Sequence, residues 1–405
     1  MAPPPASAPG PAAPATGGVL PMVVAGFVCV LVGFTSSYAI VVQAGLAMGL
    51  DAAQLATMTA ALSLGMGLAT LLPSLWLRIP VVMAWSTPGA ALLAVSLPGV
   101  PPAEAIGAFV ACAVLLTAAG ASGLFERWMN RIPMSIASAL LAGVLLRFGL
   151  DAFGGLRAQP AIVGAMLATF LLARRWSPRW AVPATLVAGL AAVFAGPGLA
   201  LPAGAGPAAA TATIAPLAWP PAFSASTLLG VALPLFVVTM ASQNLPGVAV
   251  LRASGYGDAP VSRLLAIAGG ATLVLAPFGA YALNLAAISA ALCMAPDVHP
   301  DPRRRWVAAA CAGGFYLVVA AFAGPLAALF AALPREMVIA VAGLALLPTI
   351  GRGLQAAVAD EAEREPALVT FLVTASGLVL WGVGSAFWGV VFGTAALLAW
   401  RPRTG

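Results

Sequence analysis

The sequence predicts an all-α, polytopic membrane protein, and its composition and its pattern of apolar stretches are the two observations that predict it. Hydrophobic residues make up 62% of the 405 residues and charged residues only 7%, with a mean hydropathy of +1.03. So little polar surface cannot cover a water-facing body, which excludes a soluble globular protein. Apolar stretches close to the roughly 20 residues that span a bilayer recur between short polar loops.

These stretches predict about 14 transmembrane segments. They lie near 20–45, 52–75, 80–97, 102–124, 133–150, 159–174, 180–199, 225–250, 260–276, 277–295, 305–323, 335–351, 366–382 and 384–400. Several of these stretches are shorter than a full span.

The arginines predict the orientation of these segments. All 18 basic residues are arginines, and 15 of them fall in alternate loops on one side if the N-terminus is cytoplasmic. Only Arg147, Arg157 and Arg335 fall on the other side. This is the positive-inside pattern, so both termini are predicted to be cytoplasmic. The net charge of +6 then reflects topology, and no basic face of a soluble domain suggests a nucleic-acid partner.

Residues outside the apolar stretches suggest no further domain. Residues 1–19 are rich in Ala and Pro and predict a disordered tail, without the basic region that opens a signal peptide. Residues 201–224 form a predicted periplasmic linker. The cysteines lack metal-ligand spacing and are interpreted as small core residues; they are Cys29, Cys112, Cys293 and Cys311. No metal and no cofactor is expected.

The two halves of the chain match each other weakly, at a steady offset close to half the chain length. The matching positions are Pro160 with Pro366, Trp180 with Trp388, and Ile132-Pro133 with Leu333-Pro334. Because seven spans is an odd number, the second copy must enter the membrane from the opposite face. The sequence therefore predicts an inverted repeat of 20–200 and 225–400.

Two segments carry helix-start chemistry in the middle of the predicted membrane. In 84–93 (AWSTPGAALL), Ser86 and Thr87 offer N-cap hydroxyls, Pro88 suits the first turn and Gly89 allows close approach. In the second copy, residues 277–279 interrupt the apolar run, and the helix is predicted to open at Tyr281 to Asn284. Half-helices of this kind place the substrate site of a secondary transporter at the midplane. The alternative is a kink in a continuous helix.

Polar side chains inside the spans are the candidate site residues, because they are costly there. The predicted substrate-binding residues are Ser37, Tyr38, Ser86, Thr87, Gly89, Gln243, Asn244, Tyr281 and Asn284. For the Ser and Thr residues, packing between helices is the alternative. The carboxamides rarely face lipid, because each has four hydrogen-bond positions to satisfy. Convergent helix N-termini favour an anion or an acceptor-rich ring.

Only two of the 12 acidic residues, Glu104 and Glu336, lie at the start of a span. They are the candidates for proton coupling, and interfacial helix-cap charges are the alternative interpretation. The single histidine, His299, lies in a loop. No nucleophile–base pair or phosphate loop is present, so there are no candidate catalytic residues and the chain is not expected to be an enzyme.

Four stretches resemble the benzoate membrane transporter (BenE-type) family. They are 25–44 (AGFVCVLVGFTSSYAIVVQA), 80–94 (PVVMAWSTPGAALLA), 241–256 (ASQNLPGVAVLRASGY) and 277–291 (PFGAYALNLAAISAA). The resemblance implies symport of benzoate and a proton across the bacterial inner membrane. It also implies an architecture similar to uracil permease, with a core domain of 20–130 and 225–323 moving against a gate domain of 131–200 and 324–400. A homodimer is left open.

One departure bears on the substrate. Uracil-permease-like proteins carry carboxylates on spans 8 and 10, whereas this chain has Gln243, Asn244 and Asn284 there. A nucleobase is therefore disfavoured, and the proton carrier is not identified. The alternatives are a nucleobase or other anion carrier of the same fold and an uncoupled anion channel.

Overall fold

The computed structural model describes residues 18–123, 133–196, 218–381 and 383–400, and within these ranges the chain forms 15 helices and two short strands. The elements are α1 (Val19–Ala47), α2 (Ala52–Leu77), β1 (Met83–Trp85), α3 (Thr87–Ser96), α4 (Pro102–Ala121), α5 (Met134–Ala158), α6 (Pro160–Trp176), α7 (Ala181–Ala195), α8 (Ala225–Ala253), α9 (Val261–Leu275), β2 (Leu283–Leu285), α10 (Ile288–Met294), α11 (Trp306–Ala321), α12 (Ala323–Ala332), α13 (Arg335–Ala357), α14 (Arg364–Ala375) and α15 (Ser385–Trp400). The expectations for 1–17, 201–217, Arg127, Arg131, Arg401 and Arg403 lie outside the described residues.

Seven of these helices are long and apolar enough to cross a membrane. An eighth candidate is the pair of α11 and α12, which is bent by 69° at the break between them. The all-helical membrane fold is therefore confirmed. The remaining apolar segments are shorter helices, such as Thr87–Ser96 and Ser385–Trp400.

Several element boundaries differ from the sequence prediction. Helix α1 already begins at Val19, within the predicted tail. Helix α5 continues to Ala158, well past the predicted end at 150. Helix α12 was not predicted, because residues 324–334 fall between two of the predicted apolar stretches. Pro325 lies in the first turn of the helix, where its missing N–H has no partner to lose.

Helix α8 contains two wide turns that the sequence did not predict. Residues 228–232 and 240–244 adopt π-helical geometry. Each π segment is followed closely by a proline, Pro234 or Pro246. Proline lacks an N–H and its ring clashes with the carbonyl one turn back, so a widened turn accommodates it without breaking the helix. The second π segment contains Gln243 and Asn244.

Small residues bring the helices into close contact, as is typical of membrane bundles. The most extensive helix pairs are α5 with α13, α2 with α11, α4 with α9 and α14 with α15. A Cβ on Gly343 of α13 would lie 2.2 Å from the backbone oxygen of Phe148 on α5. A Cβ on Gly120 of α4 would lie 2.4 Å from the backbone nitrogen of Ala266 on α9. Neither contact tolerates a larger residue without a shift of a helix.

Candidate functional site

Two extended segments pair beside each other in the interior of the protein. Strands β1 and β2 are antiparallel, with Ala84 opposite Asn284. The pairing continues on both sides, because Ser86 N–H donates to the Ala282 oxygen and Ala286 N–H to the Val82 oxygen, each at 2.9 Å. The expectation of short extended pieces in segments 3 and 10 is thus confirmed. We call this pair of strands the crossing.

The first half-helix begins where the sequence predicted. Ser86 is the N-cap of α3, with an extended backbone (φ −73°, ψ 98°), and its hydroxyl accepts a hydrogen bond from Gly89 N–H at 3.0 Å. A kink in a continuous helix is therefore excluded. Among the first three residues of α3, Pro88 has no N–H, and the Gly89 N–H is bonded to Ser86. The Thr87 N–H therefore remains without a partner in the described part of the chain.

The second half-helix begins later than predicted. The chain breaks in a short 3₁₀ turn at 276–278, followed by Gly279 with a left-handed φ of +89°. The interruption at 277–279 is therefore confirmed. Tyr281 to Asn284 then run extended into β2, and α10 begins only at Ile288. The prediction that Tyr281 to Asn284 open a helix was wrong, because pairing with β1, in the other half of the chain, stabilises the extended backbone there.

Buried threonines on two neighbouring helices satisfy the strand backbones. Thr70 of α2 accepts a hydrogen bond from Met83 N–H at 2.9 Å, and Thr272 of α9 accepts one from Leu283 N–H at 3.0 Å. The two contacts therefore recur at nearly the same offset that relates the two halves of the chain. Sequence reasoning missed both threonines. A hydroxyl on the apolar helix that precedes each strand is the signal that could have found them.

Asn244 also accepts a hydrogen bond from a strand N–H, at the other end of β2. Its Oδ1 accepts a hydrogen bond from Leu285 N–H at 3.0 Å, and its Nδ2 lies 3.3 Å from the sulfur of Met240. The side chain has no solvent-accessible surface. Asn244 therefore stabilises the crossing in this conformation.

Two buried polar groups of the second extended segment have no partner among the described residues. Asn284 uses Nδ2 to bind the Leu285 oxygen at 2.9 Å, whereas its Oδ1 and the Tyr281 hydroxyl are unpaired. Both residues are fully buried. An unsatisfied buried group costs about 1–3 kcal/mol, so both atoms are candidates for contact with a bound ligand.

Ser86, Gly89 and Thr239 pack closely around the start of α3. The Thr239 hydroxyl of α8 donates to Ser86 Oγ at 2.9 Å. A Cβ on Gly89 would lie 2.7 Å from both Ser86 Oγ and Leu235 Cδ1. A larger residue at this position would therefore displace the Ser86 cap and the Leu235 side chain of α8.

Ser37 and Tyr38 of α1 lie beside Trp85 of β1. The Trp85 Nε1–H donates to Ser37 Oγ at 2.9 Å, and the Tyr38 hydroxyl is 2.9 Å from Thr59 Oγ1 on α2. Phe34 meets the Trp85 ring edge-on at a centroid distance of 4.6 Å. The four candidates Ser37, Tyr38, Ser86 and Asn284 are therefore gathered around the crossing.

Thr87 and Gln243 differ from the other candidates because they are only half-buried. Thr87 opens α3, and Gln243 lies in the π segment of α8. Helix α5 packs against both elements. These two residues thus lie where the elements of the crossing meet the α5 side of the bundle.

The two candidate carboxylates lie in first turns away from the crossing. Glu104 Oε2 accepts hydrogen bonds from the hydroxyls of Ser224 and Thr227, the latter at 2.7 Å. This links the start of α4 to the start of α8. Glu336, in the first turn of α13, is half-buried. It lies near Gly155 of α5, where an added Cβ would be 3.8 Å from Glu336 Cβ.

The crossing contains no ionised side chain. Residues 79–96, 239–251 and 276–294 include no Asp, Glu, Lys, Arg or His. Within the described residues there is also no cluster of three potential metal ligands. A charge brought into this region must therefore be stabilised by backbone dipoles and neutral hydrogen-bond donors, or it must be neutralised before entry.

Comparison with known proteins decides the family. The sequence profile described as "Benzoate membrane transport protein" matches residues 18–398. The chain belongs to the benzoate membrane transport protein family. This is a family of transporters, not of enzymes. A family member named as a benzoate membrane transport protein, from Acinetobacter baylyi, is 36% identical over 92% of this chain and 93% of its own length. The "Inner membrane protein YdcO" of Escherichia coli is 47% identical over 92% of this chain and 94% of its own length.

The fold of the present chain is similar to the fold of anion transporters of known structure. The transmembrane domain of a cyanobacterial bicarbonate transporter, BicA, aligns with a TM-score of 0.54 at 15% identity, covering 94% of this chain and 97% of that one. A structure of SLC26A9 aligns with a TM-score of 0.57 at 14% identity, covering 95% of this chain and 66% of that one, and the murine protein is described as an anion transporter. These similarities establish the fold alone.

Proposed function

We propose that the protein is a secondary active transporter that imports benzoate, or a similar aromatic carboxylate, together with a proton across the bacterial inner membrane. The observation that carries the proposal is the family match over residues 18–398 on a chain whose two extended segments pair in the interior. The relatives named as a benzoate transport protein and as an inner membrane protein support the substrate class and the location.

The protein is proposed to have 14 transmembrane segments in a seven-plus-seven inverted repeat, with both termini cytoplasmic. Three features support the repeat: the antiparallel pairing of one strand from each half, the threonine that binds each strand, and the half-helix that follows each strand. The gate domain is proposed to comprise α5–α7 and α13–α15, because α12, at the boundary between the two domains, packs on α2 of the core. The pairing of α5 with α13 and of α14 with α15 supports this division, as does the pairing of α2 with α11 in the core.

The substrate is proposed to bind at the crossing, on the side that faces α5. Thr87 and Gln243 are half-buried and lie on elements that α5 contacts. The unpaired Asn284 Oδ1 is buried within the crossing. A protonated carboxylic acid has one O–H donor and an acceptor oxygen, which match the Asn284 acceptor and the Thr87 N–H. The aromatic side chains of Phe34, Tyr38 and Trp85 pack against one another between α1 and β1, next to the crossing.

The absence of charged residues from the described segments of the crossing supports proton coupling. Burial of an unpaired carboxylate costs several kcal/mol, and one helix end supplies only about 0.3–2 kcal/mol. A proton that enters with the substrate removes most of this cost. Glu336 and Glu104 remain the proposed side-chain carriers if the proton crosses on the protein.

A substrate panel in proteoliposomes tests the proposal against its alternatives. Purified protein should take up radiolabelled benzoate with saturation, and excess unlabelled benzoate should compete, whereas uracil and bicarbonate should not. Preferential uptake of uracil or bicarbonate would favour another carrier of the same fold. Flux that does not saturate and ignores a pH gradient would indicate an uncoupled channel.

A further inference from the structure

A small cavity lies at the boundary between α1, α3 and α5. Its volume is about 230 Å³, and it is lined by Gln43, Ala94, Val95, Pro98, Arg147, Phe148 and Asp151. Ala94 lies about two turns beyond the start of α3, which places the cavity roughly 10 Å along the helix from the crossing. The cavity is therefore separate from the proposed substrate position.

Gln43 contributes an unsatisfied donor to this cavity. Its Nε2 is buried and has no hydrogen-bond partner among the described residues, although the side chain lines the cavity. A buried donor without an acceptor destabilises the protein, and an acceptor atom of a ligand in the cavity would satisfy it. The amide thus favours a ligand that carries oxygen atoms.

Arg147 contributes a positive charge that is only weakly engaged. Its Nε is 4.0 Å from Asp151 Oδ2, and the two side chains are 75% and 57% exposed. Exposed pairs one helical turn apart contribute little. An incoming carboxylate can therefore replace Asp151 as the partner of the guanidinium, in the bidentate geometry that arginine favours.

The remaining walls suit a single ring. Phe148 is buried and Val95 is partly exposed, and the volume is below the roughly 300–1,000 Å³ of pockets for drug-sized ligands. Arg147 also belongs to the three arginines that the sequence assigns to the outer face.

We propose that this cavity is an outer capture site, where the carboxylate of an aromatic acid binds Arg147 and Gln43 before it moves inward to the crossing. The inference rests on the proposed function. Because α1 and α3 belong to the proposed core and α5 to the proposed gate, movement of one against the other would open or close the cavity. The site therefore precedes the central one on the import path.

Initial rates of radiolabelled benzoate uptake by intact cells test the capture site, because the substrate then meets only the outer face. Arg147→Gln is expected to raise KM about three- to tenfold with little change in kcat, and the effect should shrink at high salt, as expected for a charge at the rim of a binding site. Asp151→Asn should lower KM, since it removes a competitor for the guanidinium. Arg157→Gln is the matched control, because Arg157 is exposed on the same helix but outside the cavity.

Opposite shifts in KM for Arg147→Gln and Asp151→Asn distinguish capture from structural damage, because damage would raise KM in both variants. All rates are normalised to protein abundance in the membrane. An unchanged KM in Arg147→Gln, or an equal rise in Arg157→Gln, with normal wild-type uptake would overturn the capture site alone. A wild-type protein that takes up no benzoate would overturn the proposed function and the capture site together.

Discussion

The Asn244 side chain accepts a hydrogen bond from the backbone N–H of Leu285 at 3.0 Å, and so joins α8 to the second strand of the crossing. Thr272 of α9 binds the same strand at Leu283 N–H. These contacts replace the backbone partners that a two-stranded sheet in a membrane otherwise lacks. The crossing is thus stabilised by side chains from the helices around it.

We therefore predict that loss of either side chain destabilises the protein. Asn244→Ala and Thr272→Val each leave a buried N–H unpaired, which costs about 1–3 kcal/mol. Thermal unfolding of the detergent-purified protein measures the effect as a lower Tm. Thr35→Val is the matched control, because the Thr35 hydroxyl binds the Leu31 carbonyl within its own helix. Equal Tm values for Thr272→Val and Thr35→Val would contradict this role.

Gln243→Ala and Asn284→Ala are predicted to affect the substrate more than stability. Gln243 is half-buried in a π segment, and the Asn284 Oδ1 is buried without a partner in the described part of the chain. If the substrate pairs with these amides, each substitution should weaken benzoate binding by about 1–3 kcal/mol. Protein abundance and Tm should remain near the wild-type values. Binding isotherms provide the test, and wild-type affinity in both variants would place the substrate elsewhere.

The arginine distribution predicts which loops face the cytoplasm. In a cysteine-free variant, a cysteine at Arg304 should be shielded from an impermeant thiol reagent added to intact cells, whereas a cysteine at Arg157 should react. Both positions are exposed in the structure, so burial does not explain a difference between them. Labelling of both from outside would rule out the predicted orientation.

Glu336→Gln is predicted to impair proton-coupled uptake more than Glu104→Gln. The Glu104 carboxylate already accepts bonds from Ser224 and Thr227, and a glutamine oxygen can still accept them. Glu336 is half-buried and has no such partners among the described residues. Uptake at several external pH values measures the effect. Unimpaired uptake in both variants would mean that the proton crosses on the substrate carboxylate itself.

Local chemistry predicted the first half-helix but not the second. The hydroxyl of Ser86, followed by Pro88 and Gly89, is sufficient to specify a helix start. Near Tyr281 no comparable cap exists, and the extended backbone depends on pairing with Met83 to Trp85, far away in sequence. Long-range pairing of this kind leaves no local signal.

The wide turns of α8 and the roles of its amides illustrate the same limit. A π segment is defined by its backbone hydrogen bonds, and Pro246 alone does not distinguish it from an ordinary helix break. The sequence also grouped Gln243 and Asn244 as equivalent candidates. The structure separates them, because the π turn directs Asn244 to the strand backbone while Gln243 is left half-exposed.

Benzoate uptake into proteoliposomes under separately imposed gradients tests proton-coupled import most directly. Import of a monoanion against an inside-negative potential costs about 2.3 kcal/mol per 100 mV, and one co-transported proton makes the cycle electroneutral. Electroneutral symport with one proton predicts accumulation that responds to an acidic exterior and ignores both sodium and an imposed potential. Accumulation driven by potential or by sodium at equal pH would contradict it.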